Sequence, residues 1–390
     1  MRKRERIENN MQLKDVLDKN ILSLNERNYQ ALKEKVSEDK VTWILGAGVS
    51  VPAGLPGWNT LLAKMWARLS EIDPGANTRT DEDEKTFVKA RQDKLNQITN
   101  HRKFREKVKN AYMGKGDNIF SGINVLESAE YMWNYIENLI SGDLGAEERR
   151  KLQKQILKEL VRNSLSIDKE SDDLKACLAN QAVGKLAGLL KKRKRGTIIT
   201  YNYDDIAEFC LCEMAGLTEK EVSVVCDCDL EKHDTSKKIH INHPHGALKI
   251  VNSKLGKESE EIVLTEDSYY ELEREAYRWE NSVQANALVE TSCVFMGFSG
   301  DDYNFRRIIK NIGSEQKKAL SKHYIFICLD DLIKRICGRD LAKLHEEQYL
   351  YINIQLINRL YAQYSYWNNR GIIPIWSTYD ELPDMIAGLG

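Results

Sequence analysis

A chain of 390 residues is long enough for one large or two ordinary domains with a substantial core. Lysine plus arginine number 58 against 59 aspartate plus glutamate, a net charge of −1, which leaves no electrostatic footprint of a dedicated nucleic-acid binder. With 42% hydrophobic residues beside 30% charged ones, composition also excludes an intrinsically disordered chain.

The N-terminal MRKRERIENN is followed by no apolar run, so no signal peptide is expected. The uncharged window Val41–Ala63 is broken by four glycines and two prolines, and no membrane span is expected from it. Eight cysteines without a secretory signal point to reduced thiols and a cytoplasmic location. Cys210-x-Cys212 and Cys226-x-Cys228 lack the C-x-x-C spacing of a zinc ribbon and read as small buried hydrophobes, so no metal is expected.

In chain order, residues 1–40 form a charged helical arm with apolar positions Leu13, Val16, Leu17, Ile21 and Leu24. It either packs on the body or a neighbouring subunit, or stays solvated. Val41–Leu45 has strand character and runs into Gly46-Ala47-Gly48, then Ser50, Pro56 and an amphipathic helix over Leu61–Leu69. A glycine turn between strand and helix lets backbone approach a pyrophosphate. Val51 replaces the third glycine of the dinucleotide fingerprint, and no P-loop motif occurs. By itself the turn is either a nucleotide cradle or a tight turn needed for packing.

Residues 71–195 carry almost no strand signal. The segment Glu71–Glu84 reads as a loop, and Lys85–Met113, Ile123–Ile140, Ala146–Leu165 and Asp172–Leu190 have helical periodicity, so this stretch is expected to be a helical insertion. Lys191–Arg195 reads as the solvated last turn of a helix that Gly196 stops. From there strands and helices alternate: strands at Thr197–Thr200, Val222–Cys226, Lys238–Asn242, Ile262–Leu264, Cys293–Gly297, His323–Leu329 and Ile372–Trp376, with helices between. The pattern predicts an α/β fold, a doubly wound, mostly parallel Rossmann-like sheet over 41–390 with 71–195 as its helical insertion.

The glycine turn and three later segments all fall at C-terminal strand ends: Thr200-Tyr201-Asn202-Tyr203-Asp204, His243-Pro244-His245-Gly246, and Gly297-Phe298-Ser299-Gly300-Asp301-Asp302. In this order the four resemble the NAD-binding core of the sirtuin superfamily, closest to the zinc-free sirtuin-like proteins of bacterial anti-phage defence. The resemblance covers Val41–Trp58 and about Thr197–Arg307.

It implies that Asn202 matches the asparagine of the T-Q-N-x-D motif, orienting the ribose hydroxyls or a water, with Asp204 as the motif's aspartate. The competing view is that Asn202–Asp204 merely caps the following helix. His245 matches the H-G histidine, and an imidazole can take a proton from ribose or water at neutral pH. His240, His243 and His245 also invite a metal reading, but no nearby ligand at familiar spacing completes it, and His243 can be a satisfied core histidine. Gly297 and Ser299 match the G-T-S segment that contacts the adenosine ribose and phosphates, with Phe298 in place of its threonine. Gly46, Ala47, Gly48 and Ser50 would lie by the pyrophosphate, and Pro56 and Trp58 match the turn of the I-P-x-F segment, with Trp58 stacking beside the nicotinamide. Trp58 is otherwise a core tryptophan.

Asn59 and Tyr201 stand where sirtuin deacylases carry an arginine and a glutamine, and the zinc ribbon is missing. The family therefore implies an NAD hydrolase that releases nicotinamide and ADP-ribose with no metal, depleting NAD in defence. An oligomer, with a HerA-like hexameric ATPase as partner, is implied by family alone. The alternatives are a module that senses NAD or ADP-ribose and an NAD-dependent protein deacylase.

Overall fold

The computed structural model of the chain describes residues 17–69, 125–140, 144–167, 170–226, 236–275, 277–298, 305–310, 323–330, 332 and 346–390. The elements run α1 (Lys19–Ser37), β1 (Val41–Leu45), α2 (Trp58–Leu69), α3 (Val125–Leu139), α4 (Ala146–Ser164), α5 (Ser171–Leu178), α6 (Ala182–Arg193) and β2 (Gly196–Thr200). Next come α7 (Ile206–Phe209), which widens into a π turn over Cys210–Met214, then β3 (Val222–Val225), β4 (Ile239–Asn242), α8 (Glu266–Arg274), α9 (Trp279–Glu290) and β5 (Ser292–Met296). After the helical residues 305–310, called α10, the chain ends with β6 (His323–Cys328), α11 (Glu346–Asn368), β7 (Ile372–Ser377) and α12 (Leu382–Ala387).

The seven strands form one sheet in the order β3-β4-β2-β1-β5-β6-β7, and every pairing is parallel. The expected doubly wound α/β sheet is present. Continuous burial of Thr42–Leu45 and Ser292–Met296 is what strands covered on both faces require. Chain order reverses between β1 and β5, and loops at such a switch point open into a crevice at the carboxyl ends of the strands.

Two compact units divide the chain: residues 1–53, 169–259 and 275–390, and residues 54–168 with 260–274. The sheet belongs to the first. Ile44, Ile199, Phe295 and Ile325 pack there with Ala287 and Leu288 of α9 and with Phe305 and Ile308 of α10. A second cluster joins Leu17 to Leu356 and Leu360 of α11 and to Trp376 of β7. The helix of the arm therefore packs on the body. Asn25 acts on the sheet's last strand as an extra peptide would: its Nδ2 donates to Trp376 O at 2.8 Å, and Trp376 N donates to its Oδ1 at 2.7 Å.

The stretch 71–195 is divided between the units, since α5 and α6 lie in the sheet unit and α3 and α4 in the helical one. The helical unit joins α2, α3 and α4 to α8, which comes from beyond β4. Trp66 Nε1 donates to Ser128 Oγ at 3.1 Å, Gln153 Nε2 to Trp133 O at 2.8 Å, and Arg150 pairs with Glu271. A cleft of ≈ 290 Å³ within this unit is lined by Trp133, Gln153, Arg150, Lys154, Glu261 and Glu271, among others.

Two local expectations are corrected. Ile262–Leu264 is not a strand: Leu264 N donates to Ser268 Oγ at 3.1 Å, so an apolar run too short to pair is spent on the entry to α8. Lys194, not Gly196, takes the left-handed position that ends α6, at φ 57, and Gly196 is the first residue of β2. The basic run is solvated as expected, with Lys191, Lys192, Lys194 and Arg195 exposed, and Arg193 and Arg195 both pair with Asp39. No helix among the described residues is long and apolar enough to cross a membrane. The described cysteines are free.

Candidate functional site

The loop after β1 is two successive single turns of 3-10 helix, Ala47–Val49 and Val51–Ala53, and α2 begins only at Trp58. The glycines are demanded by the loop after β5. Gly46 N donates to Met296 O at 3.0 Å and Gly48 N to Gly297 O at 2.9 Å. A Cβ on Gly46 would lie 2.5 Å from Gly297 O, one on Gly48 2.7 Å from Gly297 Cα, and one on Gly297, at φ +58, 2.4 Å from Val49 N. Two backbones meet here with no room for side chains.

The loop after β2 locks onto that turn. Tyr201 N donates to Leu45 O at 3.0 Å. Asn202 is buried, and its Nδ2 donates to Gly46 O and to Ser50 Oγ, each at 3.1 Å. Ser50 Oγ donates to Asp204 Oδ1 at 3.0 Å, which also accepts from Ile206 N at 3.2 Å. Asp204 thus tethers the start of α7, as a capping residue would, and also ties two loops together. Burial pushes its carboxyl up to about 7, against the pull of the Ser50 and Ile206 bonds. Among the described residues none donates to Asn202 Oδ1. The donor half of this amide is committed to the fold, and the acceptor half is open.

The loop after β4 completes the arrangement. β2 and β4 are adjacent, so Asn202 and His245 sit on neighbouring loops at one end of the sheet. Leu248 N donates to Tyr203 O at 2.6 Å, and Gly246, at φ 85, makes the turn that returns the chain. The His245 ring is buried and lies edge-on to Tyr201, with centroids 4.8 Å apart. Tyr201 in turn contacts Phe298 at 5.3 Å, and Phe298 contacts Phe305 at 4.8 Å. Its hydroxyl donates to Gln284 Oε1 at 2.5 Å.

Three acids on 204–208 reach the turn after β1 and two parts of the loop after β4. Asp204 holds the β1 turn. Asp205 accepts from Ile250, Val251 and Ser253 N, all at 2.8 Å, and burial raises its carboxyl. Glu208 Oε1 meets His243 Nε2 at 2.6 Å, while His243 Nδ1 lies 3.1 Å from Asn202 O. Burial works to lower the His243 pKa, but the Glu208 charge and hydrogen bond and the Asn202 carbonyl outweigh it, so the imidazole titrates above its ordinary value.

The structure therefore gathers Gly46, Gly48, Ser50, Asn202, Asp204, His245, Gly297 and Phe298 about the ends of β1, β2, β4 and β5. Ala47 is exposed in the β1 turn. Pro56 and Trp58 belong to the helical unit, where both are half-buried and Trp58 opens α2. Ser299 lies outside the described residues. Sequence reasoning treated Tyr201 only as a departure and missed Asp205, Glu208 and Gln284, whose partners are 45, 35 and 83 positions away. The one local signal was the spacing Asp204, Asp205, Glu208, which puts acids around the first turn of a helix.

Among the described residues no group of three or more histidines, cysteines or carboxylates could hold a metal ion. No curated protein matches the chain. A family model described as SIR2-like domain matches residues 196–353, a stretch that holds Asn202, His245 and Gly297 but not the β1 turn. For that stretch the match supports a Sir2-type family and, with it, NAD-related chemistry.

Proposed function

We propose that the chain is an NAD hydrolase that cleaves the bond between nicotinamide and ribose. The leaving nitrogen is already cationic, so the bond's electron pair departs with neutral nicotinamide and no acid is needed. Water then bonds to the ribose carbon and gives up a proton, yielding ADP-ribose. What supports this reading is the state of Asn202: its amide is immobilised by two bonds through nitrogen, with the oxygen left to orient a ribose hydroxyl or the water. His245, on the neighbouring loop and braced by Tyr201, is the base that takes the proton. Gly46, Gly48 and Gly297 let the loops after β1 and β5 meet backbone to backbone at the switch point, where a pyrophosphate would approach.

NAD depletion in anti-phage defence, assembly as a homo-oligomer and pairing with a HerA-like hexameric ATPase extend the proposal by resemblance. The test is mass spectrometry of NAD incubated with purified protein, alone and with the product of its neighbouring gene. Asn202→Ala and His245→Ala should each lower hydrolysis on the order of 100- to 1000-fold with circular dichroism unchanged. Near-normal hydrolysis by either variant overturns its assigned role. Tight NAD binding with no turnover would make the chain a sensing module, and nicotinamide release that requires an acylated peptide would make it a deacylase.

A further inference from the structure

We infer that Glu208 and His243 are positioning residues, a buried relay that fixes the Asn202 loop against the His245 loop by setting which nitrogen of His243 carries a proton. The inference rests on the roles proposed above for Asn202 and His245. Both side chains are buried, Glu208 at 0% and His243 at 0%. A backbone carbonyl can only accept, so the 3.1 Å contact with Asn202 O requires a proton on Nδ1. An imidazolium facing the Glu208 carboxylate, or a carboxyl facing Nε2, keeps on Nδ1 the proton that this contact needs, whereas a carboxylate facing a neutral ring would draw it to Nε2.

The geometry is economical. His243 lies two residues before His245 and bonds the carbonyl of Asn202 itself, so one ring spans the two loops whose side chains are proposed to act together. Its backbone is also held, since His243 N donates to Val225 O at 2.8 Å and Gly246 N to His243 O at 3.0 Å. Without Glu208 the ring is free to carry its proton on Nε2, which would set a lone pair against the Asn202 carbonyl and push the loops apart. A displacement of about 1 Å in such a site costs on the order of 100-fold in rate.

Glu208→Gln still offers Nε2 a hydrogen-bonding partner, with an amide that can donate to it, and should retain most of the activity. Glu208→Leu should lower kcat on the order of 100-fold while KM stays within about twofold. It should also speed amide hydrogen exchange over 201–204. In the wild type, ¹⁵N spectra of labelled histidine, assigned with His243→Gln, should show a protonated Nδ1. An unprotonated Nδ1, or a folded Glu208→Leu protein with wild-type kcat and exchange, overturns the inference. If the wild type does not consume NAD, the proposed function fails, and the spectra and exchange alone decide the relay. The spectra alone decide it if Glu208→Leu does not fold.

Discussion

Gly46 and Gly297 meet backbone to backbone: a Cβ on Gly46 would lie 2.5 Å from Gly297 O, and Gly297 itself sits at φ +58. The two glycines are the tips of β1 and β5, the strands between which the chain reverses direction across the sheet. Gly46→Ala must move backbone and should cost about 1–3 kcal/mol. Gly297→Ala should cost more, because its left-handed conformation adds about 1–2 kcal/mol. Gly57, with open space around it, is the control, and Gly57→Ala should stay within about 0.5 kcal/mol. Urea unfolding of the three variants checks this, and equal midpoints would show that the loops can part.

Asp204 makes stability depend on pH with a sign that can be worked out. Its folded pKa, about 7, lies above the ordinary 3.8 because burial penalises the charge. The stability it contributes is therefore full below 3.8 and is lost as pH rises through about 7. Asp204→Asn removes that dependence, so relative to wild type the variant should gain on the order of a few kcal/mol between pH 4 and pH 8. Parallel stability curves would count against a buried, neutral carboxyl.

Tyr201 joins the site to α9 by its hydroxyl and to His245 by its ring. Tyr201→Phe loses one partly buried hydrogen bond, about 1 kcal/mol of stability, and should keep NAD turnover. Tyr201→Leu loses the ring contacts as well, worth about 0.5–1.5 kcal/mol each, and should lose turnover with them. Comparing unfolding midpoint with turnover separates the two roles, and equal activity in both variants would mean that the ring does not brace His245.

Asn25 satisfies both backbone groups of Trp376. Asn25→Leu should cost about 1–3 kcal/mol by leaving buried polar groups unmet. Thermal unfolding measures it, and a neutral substitution would mean that water takes the amide's place.

Where burial is two-sided the fold was legible, because Val41–Leu45 and Cys293–Met296 are apolar runs of strand length that fit a covered parallel strand. The loops that carry Asn202, His245 and Gly297 were legible as motifs at strand ends. What makes them a single arrangement was not, since Glu208, His243 and Asn202 are joined only in space and buried Glu–His pairs have no periodicity. Ile262–Leu264 misled for the same reason. An apolar triplet looks alike whether it finds a neighbouring strand or a helix entry, and only the partner decides. The glycine turn was read as a nucleotide cradle or a packing turn. The contact of Gly46 and Gly48 with Gly297 shows that packing alone already demands both residues.

The central position of β1 has a consequence for biosynthesis. Thr42 leaves the ribosome early, yet its two neighbours in the sheet are Thr197 and Cys293. β1 is thus made first but meets its first neighbour only when β2 emerges and its second only when β5 does, so one edge stays bare long after the other can pair. Long-range parallel pairing of this kind slows folding and exposes the nascent chain to aggregation. Yield of active protein should therefore respond to chaperone supply and growth temperature more than its modest hydrophobic content suggests.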